Sequence, residues 1–292
     1  MNMDTKQITR GAMMCAIYGL LLFLNQQTAL TIETSANWLF AFPILIYTSM
    51  YGNYGGGIVS LAMILMTFLF GGFTTWFYSW SAILIGYLYG SGVYHKRSHM
   101  SNFLLPAILS IIATALIIYL WAGIFGYDVN TDFKDIVALF PTIHLRVLVF
   151  LFVIVLGTME ALAIHMVGLM ICMRLKIDMV PIKPITKMLP PRWFGILSIL
   201  MCVLYLFSQN VLHLSVDITD LLQVLTILDL MVLDYFGVLY FMNKVIQKSQ
   251  RKWVFFAIIG AFIPIVNGIW VVAGLLDCLC GLRARQQLDS RE

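Results

Sequence analysis

The sequence predicts an all-α protein, a polytopic bundle of roughly eight or nine membrane-spanning helices. Three observations carry that prediction. Of 292 residues, 61% are hydrophobic and 11% charged, where soluble domains run nearer to about 45–50% and about 25%. So few charges cannot cover a water-facing surface, which excludes a soluble enzyme, a nucleic-acid binder and a disordered tail. The apolar residues come in long unbroken runs, whereas strands of a membrane barrel alternate over about ten residues. Lys and Arg gather in a few clusters between those runs, as they do in loops on one side of a membrane.

The first helix is expected over about Ile8–Leu24. Its weakly basic lead and the lack of a small-residue cleavage site before Asn25 mark it as a retained helix, not a signal peptide. The 61 residues from Thr34 to Tyr94 contain no charge, a stretch too long for one helix. Pro43, Gly52, Gly55–Gly57 and Gly71–Gly72 divide it into three short helices, about Trp38–Tyr51, Gly55–Phe70 and Thr75–Val93. A basic patch at 94–99 precedes a fifth helix, about Asn102–Phe125. In the next loop Phe133, Ile136, Val137 and Phe140 fall on one helical face, the pattern of a short helix lying in the interface. Helix six covers about Leu145–Met173. A loop with Pro181, Pro184, Pro190 and Pro191 leads to helix seven, about Trp193–Leu212, and helix eight, about Ile218–Ile246. A last apolar segment, Trp253–Cys280, is interrupted by Pro264.

Cytoplasmic loops carry the excess of Lys and Arg. Assigning the N-terminus, 94–101, 174–192 and 244–252 to one side collects 13 of them, against Lys134 and Arg146 on the other. The N-terminus is therefore expected in the cytoplasm, and the uncharged stretch must cross an odd number of times. Arg283, Arg285 and Arg291 leave the last segment open: one crossing puts them outside, and a re-entrant pair at Pro264 puts them inside.

Within hydrocarbon an ionisable residue costs at least ~2.5–3.5 kcal/mol on insertion scales, so it marks a functional hypothesis. Four stand out: Glu160 and His165 in helix six, Asp229 and Asp234 in helix eight. No Lys or Arg is expected deep in a span to pair with them. A spacing of five turns residues by about 140° on a helix, so neither pair shares a face. These groups suit a cation or proton site, or an anchor for an amine or a polyhydroxylated solute. Their alternative use is as protonated carboxyls hydrogen-bonding between helices. Asn25, Gln26, Gln27, Gln209, Asn210, His144 and His213 are expected near the outer face, where they line a pocket mouth or are simply solvated. Asn267 lies beside the helix break at Pro264, where freed backbone groups can bind ions or solutes.

Small residues recur at helix-packing spacing in Ala12…Ala16, Gly52…Gly56 and Gly86…Gly90. The glycine pairs suit packing inside the bundle, and Ala12 with Ala16 suits a partner protein. Trp76, Tyr78 and Trp80 form an interfacial belt. His95 and His99 lie four apart without a third ligand, and Cys278-x-Cys280 is as thin, so no metal is expected. Five cysteines at irregular spacing make no disulfide framework. P-loop, H-E-x-x-H and G-x-S-x-G motifs are missing from the sequence, so it predicts no enzyme and no cofactor.

Three stretches carry a resemblance. Thr9-Arg10-Gly11-Ala12-Met13-Met14-Cys15-Ala16 opens the first helix. Phe42-Pro43-Ile44-Leu45 is followed by Tyr51-Gly52-Asn53-Tyr54-Gly55-Gly56-Gly57 and by Phe70-Gly71-Gly72. Gly274-Leu-Leu-Asp277 and Arg283 close the chain. This pattern resembles the YybS-like family of bacterial membrane proteins. Residues 1–175 resemble the substrate-binding S components of energy-coupling-factor transporters. The resemblance implies a bacterial inner-membrane location and a six-helix core (1–175), with a helical extension (192–292) that has no counterpart in S components. It also implies that Ala12 and Ala16 dock a transmembrane coupling protein served by separate ATPase subunits. The expected function is capture and uptake of a small solute in a pocket opening outward, lined by Glu160, Asn25 and Gln26 with Asp229 from the extension; His165 and Asp234 are further candidates. A membrane scaffold or regulator of envelope proteins is the alternative.

Overall fold

The computed structural model describes residues 4–126, 131, 138, 143–181, 189–210, 215–247, 253, 256, 259–260 and 263–284. No strand occurs among them. The helices are α1 (Thr5–Gln27), α2 (Thr31–Ser35), α3 (Ala41–Met66), α4 (Gly72–Tyr94), α5 (His99–Phe125), α6 (Leu145–Arg174), α7 (Arg192–Asn210), α8 (Val216–Gln247) and α9 (Pro264–Cys280). The interfacial helix expected at 131–140 lies, apart from Thr131 and Ala138, outside the described residues, as do His213, Lys183, Pro184 and Lys187. The chain forms two compact units, Met1–Lys134 with Phe152–Ile182, and Asp135–Leu151 with Lys183–Glu292. Helix α6 thus starts in the second and continues in the first.

In the first unit, glycines set the backbone directions. The backbone leaves helical geometry at Gly52 (φ +80°) inside α3, and again at Gly72 (φ +77°) after a π-helical turn at Thr67–Gly71. A side chain is strained in that region, and a Cβ at Gly52 would also meet the Tyr94 ring at 2.8 Å. These breaks separate residues 41–51, 53–71 and 73–94, close to the three short helices read from the sequence. Contacts fix their directions. Phe40 packs on Tyr18 and Tyr47 on Gly11, so 41–51 runs antiparallel to α1. Gly11 meets Val59, and Tyr18 bonds Thr67, so 53–71 runs parallel to α1. Gly86 and Gly90 lie against the Ala41 and Leu45 carbonyl oxygens, where a Cβ would sit 2.3 and 2.6 Å away, so α4 runs parallel to 41–51. The spacing Gly86…Gly90 thus serves packing inside the unit. Helix α5 returns antiparallel, with Gly92 against Asn102, and α6 reverses again, with Gly157 against Ile111 and His165 against Phe103. The core at these crossings includes Tyr18, Phe40, Ile44, Met63, Ile83 and Ile164, all fully buried.

In the second unit, α8 carries the buried stripe Leu222, Thr226, Asp229, Leu233 and Gly237. Its spacing of three and four residues is one helical face. Gly237 and Gly274 bring α8 and α9 into backbone contact: a Cβ on either would lie 1.9–2.0 Å from the carbonyl oxygen of Trp270 or Leu233. Helix α9 starts on Pro264 at its first turn, where the missing N–H is harmless, and ends on Gly281 in the left-handed conformation.

Candidate functional site

The polar groups of the first unit fall into three sets. At the end of α1, Ala29 and Leu30 take left-handed conformations (φ 51° and 64°) that turn the chain sharply into α2. That turn places Glu33 over Asn25. The Asn25 amide donates to Glu33 Oε2 at 2.7 Å, and the Glu33 N–H donates to Asn25 Oδ1 at 3.0 Å. Both residues are buried, so Asn25 closes the turn with both ends of its side chain. Glu33, read from sequence as a loop charge, is an interior carboxylate. Exposed Gln26 donates to the Gly71 carbonyl at 3.1 Å. It also edges a groove of about 360 Å³ whose other walls are Gly19, Leu22, Phe23, Met66 and Phe70. That groove is apolar apart from Gln26.

The second set is at the opposite end of the unit. Tyr89 Oη and His165 Nδ1 are 3.2 Å apart, and the His165 ring is boxed by His99 and Phe103. His99 Nε2 donates to the Val180 carbonyl at 2.7 Å, and Lys96 pairs with Asp178 at 2.5 Å. His99 is thereby committed to the backbone, while His95 packs on Tyr94. Among the described residues, no three His, Cys, Asp or Glu side chains gather as a metal set.

Glu160 stands apart from both. It lies on α6 between the two contacts with α5 that involve Gly157 and His165. Its Oε1 is shut off from solvent and has no hydrogen-bond partner among the described residues. On α5, within the same stretch, the fully buried Ser110 hydroxyl is also without a partner. A carboxyl oxygen buried without a donor costs free energy that a proton, a cation or a solute donor would recover.

In the second unit, Asp229 accepts from Ser198 Oγ at 2.8 Å through Oδ1, while its buried Oδ2 has no partner. Asp234 Oδ1 is likewise buried and partnerless. At one end of α8, Asp220 pairs with His144 at 2.6 Å and Asp217 with Arg146 at 2.9 Å. The sequence reading named Asp277 and Arg283 without pairing them. Asp277 and Arg283 are both fully buried and joined at 2.5 Å, with the Arg283 guanidinium over the Phe236 ring. The signal was present as an acid near the end of an apolar run, a glycine four residues on, and an arginine two beyond that. Arg283 lies beyond the end of α9 at Cys280 and pairs with Asp277, so it does not bear on the expectation that no Lys or Arg lies deep in a span to pair with the four ionisable residues. A helix stop at Gly281 lets the chain turn the arginine back inward.

Ala12 and Ala16 are exposed on α1, on one stripe with Ile8 and Leu20. The sequence-predicted residues therefore divide between the units. Asn25, Gln26, Glu160 and His165 belong to the first, and Asp229 and Asp234 to the second.

The fold and these groups define an all-helical protein. Among the described residues, five helical stretches, one of them Asn37–Tyr94, are long and apolar enough to cross a membrane. No family model, curated protein or solved structure matches the chain.

Proposed function

We propose that the chain is a solute-capture protein of a bacterial inner membrane, in the style of an S component, with Glu160 holding the solute or its accompanying cation. One observation carries this reading: Glu160 keeps a buried carboxyl oxygen without a partner in the middle of a 30-residue apolar helix. Such a group is costly in hydrocarbon and characteristic of ion and solute paths. Asn25 is engaged by Glu33 and acts by shaping the neighbourhood, and Gln26 by holding Gly71. In this reading Ala12 and Ala16 receive a transmembrane coupling protein, and the chain itself performs no catalysis.

A second reading, a membrane scaffold for envelope proteins, is favoured by the exposure of that same Ala12–Ala16 stripe, since small residues let a second helix approach closely.

Two substitutions separate the readings. Wild-type protein, Glu160→Gln and Ala12→Leu are purified from membranes under mild conditions, and mass spectrometry identifies the small molecules and proteins that each carries. Solute capture predicts a small molecule lost from Glu160→Gln and kept by Ala12→Leu. A scaffold predicts identical small-molecule content in all three and a protein partner lost from Ala12→Leu.

A further inference from the structure

The geometry points to a single crossing by α9, with α8 ending and α9 starting on one face of the membrane and Gly281 emerging on the other. This rests on the polytopic reading above and decides what the arginines left open. The two close contacts give the direction: Gly237 meets Trp270, and four residues earlier along α8, Leu233 meets Gly274, four residues later along α9. The helices are therefore antiparallel. Phe241 stacking on Trp270 at 4.6 Å keeps that direction toward the end of α8. Continuing the register puts Pro264 opposite Asn243, one turn before α8 ends at Gln247. The chain thus leaves α8 and enters α9 at one level.

The far end follows from the same register. Cys280 comes opposite Ile227, so the chain passes Gly281 heading for the end of α8 where Asp220 meets His144 and Asp217 meets Arg146. Helix α7 agrees, because Gly195 lies against Cys278 while Ser198 bonds Asp229. Helix α9 has 17 residues, about 25 Å at 1.5 Å per residue, which covers most of a ~30 Å hydrocarbon core.

Arg283 drops out of the charge count that left the last segment open. Basic residues orient spans as free charges in loops. Arg283 is instead locked on Asp277 by its guanidinium and by its backbone N–H, at 2.5 and 2.8 Å, with both side chains fully buried. It forms a neutral unit at the end of α9 and ceases to weigh for either side.

The test uses the full chain in intact cells, with Cys280, the exposed native thiol, replaced by serine. A membrane-impermeant maleimide probes Ser215→Cys and Gln247→Cys, both at exposed helix ends, and external protease probes an epitope tag fused after Glu292. The parent protein without either new thiol is the blank. The expected result is that the tag and Ser215→Cys respond from one face and Gln247→Cys only from the other. A tag that responds from the same face as Gln247→Cys overturns the single crossing, as does labelling of both thiols from one face. If the tag and Ser215→Cys agree but both face the cytoplasm, the single crossing stands, with α9 running toward the cytoplasm.

Discussion

Removing Arg283 should be among the most damaging single changes in the second unit. The side chain is fully buried, its guanidinium meets Asp277, and it lies over Phe236. Arg283→Met keeps much of the apolar stem but leaves the Asp277 carboxylate buried with only the residue-283 N–H as donor. Breaking a buried pair from one side costs about 3–5 kcal/mol, since the surviving charge has no compensation. For a domain of this size, 1 kcal/mol moves the melting temperature by roughly 2–4 °C, so a drop of roughly 6–20 °C is expected. Asp277→Asn strands the arginine instead and should cost a similar amount. The double variant removes both charges, and the new amide oxygen still accepts the backbone N–H, so it should be more stable than either single variant. Thermal unfolding of the detergent-purified protein, followed by the loss of its monodisperse chromatographic peak, measures all four proteins. Additive losses in the double variant, or a shift of only a degree or two for Arg283→Met, would refute the account of a coupled buried pair.

Asn25→Ala removes the donor that holds the buried Glu33 carboxylate and should destabilise the protein by about 1.5–3 kcal/mol, the range for hydrogen bonds to charged groups; the same melting measurement reads it, and Asn25→Asp should be worse by adding a second negative charge. Gly90→Ala would put a methyl 2.6 Å from the Leu45 carbonyl, forcing two backbones apart at about 1–3 kcal/mol, whereas Gly57→Ala, with nothing within 4 Å, should move the melting temperature little. Lys96→Ala breaks an ion pair whose side chains are 60% and 79% exposed; exposed pairs contribute about 0–1 kcal/mol, so a small change that disappears in high salt is expected.

Much of the helical layout was legible because the bilayer imposes a simple rule: an apolar run long enough to span becomes a helix that satisfies its own backbone. The bounds of α5, α6 and α8 fall within a turn or so of the sequence reading for that reason. The breaks in the uncharged stretch were legible as glycines, although composition could not say which of them bend the chain. Gly52 and Gly72 take positive φ, while Gly86 and Gly90 stay helical and serve as contact points. What the sequence hid were pairings set by tertiary approach. Glu33 reads as a solvated loop charge until Ala29 and Leu30 turn it onto Asn25. Arg283 reads as a tail charge until Gly281 turns it onto Asp277. Asn25 and Gln26 read as a pocket lining; in the structure Asn25 is bonded to Glu33, and Gln26 donates to Gly71 while edging a groove.

These pairings narrow where function can reside. Hydrocarbon penalises a polar group without a partner, so a folded membrane bundle is under pressure to match its interior acids with donors. Glu33 is matched by Asn25, Asp220 by His144 and Asp277 by Arg283. Asp229 is half matched, one oxygen taken by Ser198. Glu160 and Asp234 each keep a buried oxygen without a donor among the described residues. If these acids were purely structural, nothing would prevent glutamine or asparagine from serving as well, because a neutral amide carries no ionic penalty. In the solute-capture reading proposed above, a proton or ligand would supply the partner that Glu160 and Asp234 lack among the described residues. Glu160→Gln and Asp234→Asn are therefore expected to leave folding intact or improve it, and a loss of stability in both would show that the carboxyls are bonded in the membrane and would remove the physical ground for a solute site.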